Sequence, residues 1–166
     1  MNLEEAKYKF VQTWGALGSQ WGINKAMAQI HALLMVSDHA LSMEDIMEEL
    51  KISRGNASMN IRALIDWGIV YKEIKPGERR EFFVAEKNID ELARKIAKER
   101  SKREIKPAIR ILKEVVEIKD NKPEAENFKK QTKALYEFML KADTMIDKVT
   151  SQKENWLTKT LLKMIK

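Results

Sequence analysis

An abrupt change of hydrophobic period near residue 68 constrains this chain more than any other feature of its sequence. Up to that point apolar residues recur with helical spacing, and the last two helical segments are joined only by Lys51-Ile52-Ser53. Beyond it, residues 69–74 and 81–85 have the composition of strands, and residues 75–80 form a turn. Two helices joined by a tight turn and followed by a hairpin predict a winged helix-turn-helix domain.

Capping residues set the bounds of the helices in this half of the chain. Asn24, Ser42 and Ser53 each stand directly before a helical segment, and Asp45 follows Ser42 at the spacing of a capping box. Gly68 is suited to the position just after a helix. The predicted helices cover residues 3–21, 25–36, about 43–50 and about 54–67. Three glycines, at positions 15, 18 and 22, lower the helix propensity of the second half of the first segment.

The second half of the chain, from residue 89 onward, shows only helical patterns. Pro107 predicts a kink or the start of a new helix, and Asp120-Asn121-Lys122-Pro123 predicts a break. An amphipathic helix is predicted over 156–165. The helix that follows the break has apolar residues at heptad spacing, with Thr and Ala at two positions: Phe128, Thr132, Leu135, Met139, Ala142, Ile146 and Val149. We therefore predict a mainly α protein with a small β-hairpin wing, in which residues 1–88 form the winged helix-turn-helix domain and residues 89–166 a helical dimerisation region.

The helix at 54–67 is the candidate recognition helix, the one that enters the major groove of DNA. If Ala57, Ile61 and Leu64 face the core, its polar and small residues face outward, where Arg can pair with guanine and Asn with adenine. A basic hairpin tip can follow the minor groove. Each piece alone also fits an ordinary amphipathic helix or a solvated turn, and the ordered combination favours double-stranded DNA as the partner. The predicted contacts are Ser42, Ser53, Arg54, Gly55, Asn56, Ser58, Met59, Arg62, Lys75, Arg79 and Arg80.

Four stretches of sequence resemble one known family. LSMEDI at 41–46, SRGNAS at 53–58, DWGIV at 66–70 and PGERREFF at 76–83 are similar to the GbsR-like branch of the MarR transcription regulators, and the resemblance extends over residues 14–88. It implies a homodimeric repressor or activator that binds an inverted-repeat operator. In some members a small osmolyte-type ligand, choline or glycine betaine, controls release of the DNA.

A second function class fits the same fold, namely a winged-helix module that binds another protein and reads no DNA sequence. Such a module needs exposed apolar residues on the helix at 54–67, where only Met59 qualifies. A DNA reader needs outward Arg, Asn and Ser, which this helix has. The sequence therefore favours the regulator.

Three other groups of residues carry side chains of types that can bind a ligand, a metal or a phosphate. Trp14 and Trp21 could form an aromatic cage for a quaternary ammonium ligand, although aromatic residues at helical spacing usually belong to a core or a dimer interface. His31 and His39 lack the spacing of a metal or catalytic motif. Residues 94–106 carry seven basic and two acidic side chains, typical of a solvated helix, with phosphate contact as the alternative.

Composition excludes several classes of function. The chain has no cysteine, so disulfides and thiolate chemistry are absent, and no nucleotide-binding or nucleophile motif is present. We therefore expect no enzyme activity, no cofactor and no metal site. The net charge of +6 favours an anionic partner. No run of apolar residues is long enough to span a membrane, and the N-terminus lacks the pattern of a signal peptide, so we expect a cytoplasmic protein.

Overall fold

The computed structural model describes residues 1–120 and 122–151, and the chain divides into two compact units, residues 1–89 and 90–166. The first unit contains α1 (Leu3–Gln20), α2 (Lys25–Val36), β1 (Leu41–Ser42), α3 (Met43–Leu50), α4 (Arg54–Asp66), β2 (Val70–Glu73) and β3 (Phe82–Ala85). The helices that follow are α5 (Ile89–Arg100), α6 (Lys106–Val115) and α7 (Pro123–Ser151), with a π-helical turn, Ser101–Ile105, between α5 and α6. The mainly helical fold with a small hairpin is confirmed.

Helix α1 is continuous, in contrast to the weak second half that its glycines predict. Gly15 and Gly18 are buried where α1 packs against α2. A Cβ atom on Gly18 would lie 2.5 Å from Cβ of Ala28, and one on Gly15 would lie 2.5 Å from Cγ of Gln29. The two glycines therefore let the helices approach closely, and the packing of α2 compensates for their low helix propensity.

A three-stranded antiparallel sheet, in the order β1-β3-β2, carries the wing. Strand β1 has only two residues, with Leu41 opposite Phe83 and Ser42 opposite Phe82. The sequence did not predict this strand, because two residues are too few to show a period. The core of the unit lies between the sheet and helices α2 to α4, and its fully buried side chains include Ile30, Leu34, Ile46, Leu64, Val70 and Phe83.

The predicted caps hold the helix-turn-helix pair in place. The Oγ atom of Ser42 accepts a hydrogen bond from the Asp45 backbone N–H at 3.2 Å, and the Asp45 carboxylate accepts one from the Ser42 N–H at 2.8 Å. Lys51 adopts the left-handed conformation (φ 52°) after α3, and Gly68 does so (φ 71°) beyond the end of α4. The start of α3, the turn that follows it and the end of α4 are therefore each fixed by local hydrogen bonds or backbone geometry.

Lys87 ties the end of β3 to the C-terminus of α2. Its ammonium group donates hydrogen bonds to the carbonyl oxygens of Leu34, Met35 and Ser37 at 2.7, 2.6 and 2.9 Å. These carbonyls lie at or just beyond the end of α2, where backbone acceptors lack helical partners and a positive charge is favourable. Partial burial lowers the pKa of Lys87.

The second unit is built on α7, against which α6 and the π-helical turn pack. The hydroxyl of Ser101, which is buried, donates to a carboxylate oxygen of Asp143 at 2.6 Å. Pro107 lies in the first turn of α6, as one of its two predicted alternatives requires, and α7 begins at Pro123. The amphipathic helix predicted over 156–165 lies outside the described residues.

The close contact between α1 and α2 predicts the effect of a single methyl group. We expect Gly18→Ala to lower the free energy of unfolding by about 1–3 kcal/mol, because the new Cβ overlaps Ala28. Chemical denaturation followed by circular dichroism measures this change.

Gly55→Ala is the matched control, since no atom lies within 4 Å of the Cβ that it would add. It should raise the free energy of unfolding by at most about 1 kcal/mol through helix propensity. Equal effects of the two substitutions would contradict the packing role of Gly18.

Candidate nucleic-acid interface

Helix α4 presents one face to the core and the other to solvent. Ala57, Asn60, Ile61 and Leu64 are buried. On the other side Gly55 and Arg62 are exposed, Met59 is 61% exposed and Ser58 is half-buried. Arg62 makes no hydrogen bond or ion pair with any residue that the structure describes. This exposed face has the small and hydrogen-bonding side chains that contact base edges and phosphates in DNA.

Arg54, the first residue of α4, is paired with an acidic residue of α3. Its Nη2 atom lies 2.5 Å from Oε1 of Glu44, and its Nη1 atom lies 3.9 Å from the sulfur of Met43. Both charged side chains are largely exposed, at 65% for Arg54 and 47% for Glu44. The pKa of Glu44 is lowered, first by its own backbone N–H and then by Arg54, so the carboxylate stays ionised.

Asn56 is oriented by a buried residue that the sequence did not single out. Nδ2 of Asn60 donates to the backbone oxygen of Asn56 at 2.8 Å and to its Oδ1 at 2.6 Å. Asn60 is only 3% exposed. One lone pair of the Asn56 Oδ1 is therefore occupied, and its own Nδ2 is left as the donor. An asparagine among the core-facing positions 57, 61 and 64 was the signal in the sequence.

Two of the three predicted serines, Ser42 and Ser53, have structural roles at helix starts. Ser42 is fully buried, and its hydroxyl belongs to the capping box of α3. It therefore lies beneath the surface that DNA could reach. Ser53 is exposed, and its Oγ accepts from the Asn56 N–H at 3.3 Å. Ser53 shares the surface with Arg54 and Gly55, whereas Ser42 supports that surface from below.

The hairpin between β2 and β3 carries charges of both signs. Lys75 and Arg80 lie over the ring of Phe82, with Nζ and Cζ at 4.0 and 5.4 Å from its centroid. Arg80 also pairs with Glu78 at 3.4 Å, and this carboxylate raises the pKa of Arg80. Arg79 is exposed and has no hydrogen bond or ion pair among the described residues. Phe82 therefore orients two of the three predicted wing cations.

The aromatic residues of α1 lie at its surface. Trp14 and Trp21 meet edge to face with ring centroids 6.2 Å apart, and Trp21 is 50% exposed. The residues that α1 buries are Val11, Gly15 and Gly18. Trp21 therefore remains accessible to a ligand or partner, Trp14 is half-buried, and the ammonium cage stays a prediction.

His31 and part of the basic run at 94–106 are buried. His31 is buried, and burial, with a smaller contribution from the charge of Lys87, lowers its pKa to about 4. Arg94 and Lys95 pair with Glu91, and Arg103 pairs with Glu99. These partners are three or four residues apart on a helix, and Glu99 is buried, so part of the run faces the interior of the second unit. Among the described residues no three side chains of the metal-ligating types come together, and no helix is long and apolar enough to cross a membrane.

Comparison with known proteins agrees with this geometry. Residues 21–81 match the model of the MarR family. A solved structure described as a crystal structure of a transcriptional regulator is similar, with a TM-score of 0.67 and 18% sequence identity. The match covers 88% of this chain and 96% of that one, and shows a shared fold. No curated protein sequence matches significantly. Residues 21–81 therefore have a winged-helix fold, and over this range the chain is similar to the MarR family.

The hydrogen bonds between Asn60 and Asn56 predict that the mobility of the Asn56 side chain can change while the free energy of unfolding does not. Asn60→Leu should change the free energy of unfolding by less than about 1 kcal/mol, because an apolar side chain of similar size replaces a buried polar one. The side-chain amide of Asn56 should nevertheless become more mobile, as measured by ¹⁵N relaxation of its NH₂ group.

Ser53→Ala is the control, because it removes the hydroxyl that caps α4 and leaves Asn60 in place. It should lower the stability by about 1 kcal/mol. Unchanged relaxation of the Asn56 amide in Asn60→Leu would show that Asn60 does not hold this side chain.

Proposed function

We propose that this protein is a sequence-specific DNA-binding transcription regulator, in which α4 enters the major groove and the β2–β3 hairpin follows the adjacent minor groove. The observation that carries this proposal is the exposed face of α4, where Gly55, Ser58 and Arg62 lie together on the second helix of a helix-turn-helix pair. The MarR-type domain match and the structural likeness to a transcriptional regulator support it.

The side chains of α4 divide by the contacts that they can make. Arg62 has both hydrogen-bonding edges of its guanidinium available for a guanine or a phosphate. Asn56 offers its Nδ2 donor, which suits an acceptor such as a purine N7. Gly55 lacks a side chain and would allow the backbone to approach the DNA closely. Arg62 and Asn56 are the proposed base-contacting residues, and Gly55 allows the backbone of α4 to come close to the DNA.

The wing supplies contacts that do not depend on sequence. Arg79 is exposed, and Arg80 is held against Phe82 within the hairpin. Arginines in a narrow minor groove are attracted by its negative potential and by the flanking phosphates. The wing should therefore raise affinity for any duplex, while α4 supplies the discrimination.

We propose further that the regulator is a homodimer held together through its helical second unit. Helix α7 has a half-buried row that includes Met139 and Ile146, and a second, exposed apolar row. The exposed row consists of Leu135, Phe138 and Met145, at 50%, 65% and 67% exposure. These residues are three and seven positions apart, as in the apolar seam between two packed helices. A second copy of α7 would cover this exposed row.

DNA binding by purified protein tests the proposed reading surface. After an operator is selected from random duplexes, Asn56→Ala and Arg62→Ala should each weaken operator binding by about 1–3 kcal/mol, and random DNA much less. Arg80→Ala should weaken both alike and reduce the slope of log affinity against log salt by about one unit. The operator should be an inverted repeat with half-sites about 10 bp apart.

Lys9→Ala is the control for net charge, because Lys9 is an exposed lysine of α1, outside α4 and the hairpin. Lys9→Ala should leave the ratio of operator affinity to random-duplex affinity unchanged. If the α4 and hairpin variants behave alike, or if all of them bind as well as the wild type, the reading surface is wrong. The protein-interaction module would then be the better reading.

The dimer is tested by sedimentation at micromolar concentration, where the protein should have about twice the 19.3 kDa mass of the chain. Phe138→Glu should shift the equilibrium toward monomer, since it places a charge in the exposed row. Glu137→Gln, at the neighbouring exposed position, should not. A wild-type monomer at this concentration would contradict the dimer.

A further inference from the structure

Two of the five cations of the proposed DNA surface, and Lys72 of the adjacent strand β2, have an acidic partner within the protein. Arg54 pairs with Glu44, Arg80 pairs with Glu78, and Lys72 pairs with Glu81. All six side chains are at least 42% exposed, so these pairs lie at the surface and not in the core. A DNA phosphate that approaches these cations has to displace a carboxylate.

The Arg54–Glu44 pair is the one with a direct bearing on α4. At 2.5 Å, Oε1 of Glu44 occupies the Nη2 group that a phosphate or a guanine would otherwise take. Arg54 is the first residue of α4, a helix end at which an anion is favoured. The carboxylate therefore stands at the end of α4 where an incoming phosphate is expected.

The position of Glu44 is set by the fold. It lies in the first turn of α3, between the capping-box residues Ser42 and Asp45, where its carboxylate benefits from the helix N-terminus. The charge of Arg80 also lowers the pKa of Glu44. A charged Glu44 is therefore held beside two of the predicted DNA-contacting arginines. Exposed ion pairs add little to stability, so stability alone does not account for this placement.

We propose that Glu44 is an intramolecular competitor of DNA for Arg54 and thereby sets the affinity of the interface. This inference rests on the proposed DNA-binding function. In the free protein Glu44 neutralises Arg54. When a DNA phosphate binds Arg54, the carboxylate of Glu44 loses its partner and binds a cation from solution. The net number of cations released on DNA binding is therefore smaller by one for each protomer.

This mechanism predicts a change in salt dependence as well as in affinity. Glu44→Gln should bind a random-sequence duplex about 2- to 5-fold more tightly at low salt, the factor expected for the loss of one exposed ion pair. The slope of log affinity against log salt should become steeper by about 0.9 for each bound protomer, since no cation is recruited. Operator affinity should rise by a similar factor.

Glu49→Gln is the matched control. It removes the same charge from the same helix, but residue 49 is five positions from Glu44, about 140° around the axis. Glu49 lines a shallow cavity with Glu4 and Lys7. It should change neither the affinity beyond about twofold nor the salt slope. The test is completed in protein that already carries Arg54→Gln. In that protein, adding Glu44→Gln should change DNA affinity and the salt slope no more than adding Glu49→Gln does.

The outcomes separate this inference from the proposed function. A wild-type protein that binds no duplex overturns both. If the wild type binds and Glu44→Gln behaves like Glu49→Gln, or if its effect persists undiminished with Arg54→Gln, the competition is wrong and the DNA-binding proposal stands. Weaker operator binding by Glu44→Gln with unchanged random-duplex binding would also overturn it, because Glu44 would then be reading a base.

Discussion

The geometry of the candidate interface depends on the antiparallel pairing of β1 with β3. Ser42 is opposite Phe82 in this sheet, and the same serine caps α3. One residue thus joins the wing to the helix-turn-helix pair. Because Ser42 is fully buried, neither its strand pairing nor its capping hydrogen bonds compete with water. The register of β3 therefore fixes where the basic hairpin lies relative to the start of α3.

This constraint brings charges together that are distant in sequence. Arg80 precedes Phe82 by two residues, and Glu44 follows Ser42 by two, so the pairing of Ser42 with Phe82 places them near one another. After the larger effects of its own backbone N–H and Arg54 on Glu44, and of Glu78 on Arg80, their mutual attraction further lowers the pKa of Glu44 and raises that of Arg80. The acidic residues at the start of α3 therefore add to the mixed charge that the hairpin already carries.

Helix α4 shows how the core supports a polar surface. Ala57, Ile61 and Leu64 anchor the helix, and Asn60 shares their buried side while its amide reaches Asn56. A buried amide has to be hydrogen-bonded, and the nearest acceptors are those of the preceding helical turn. Its burial thus orders a side chain at the edge of the exposed face. Leaving the buried Asn60 amide without a hydrogen bond would be unfavourable, and this cost keeps the Asn56 side chain in its observed orientation.

Local signals were sufficient for most of the secondary structure. The caps Asn24, Ser42 and Ser53 start helices in the fold, and the change to strand period near Gly68 marks the hairpin, because capping and period are properties of neighbouring residues. Local signals failed for β1, which forms only because β3 offers a partner. They did predict α1, but not the role of its glycines, because Gly15 and Gly18 are poor helix formers in isolation and necessary beside α2.

The sequence by itself therefore determined the order of the elements, the winged helix-turn-helix class and the residues that face outward on α4. Only the tertiary structure decided which of the predicted contacts are accessible, paired or oriented. Ser42 is buried, Arg54 is held by Glu44, Asn56 is held by Asn60, and Arg62 is available. The reason is physical: period and capping act over a few residues, whereas burial and ion pairing depend on neighbours brought together by the packing of the whole unit.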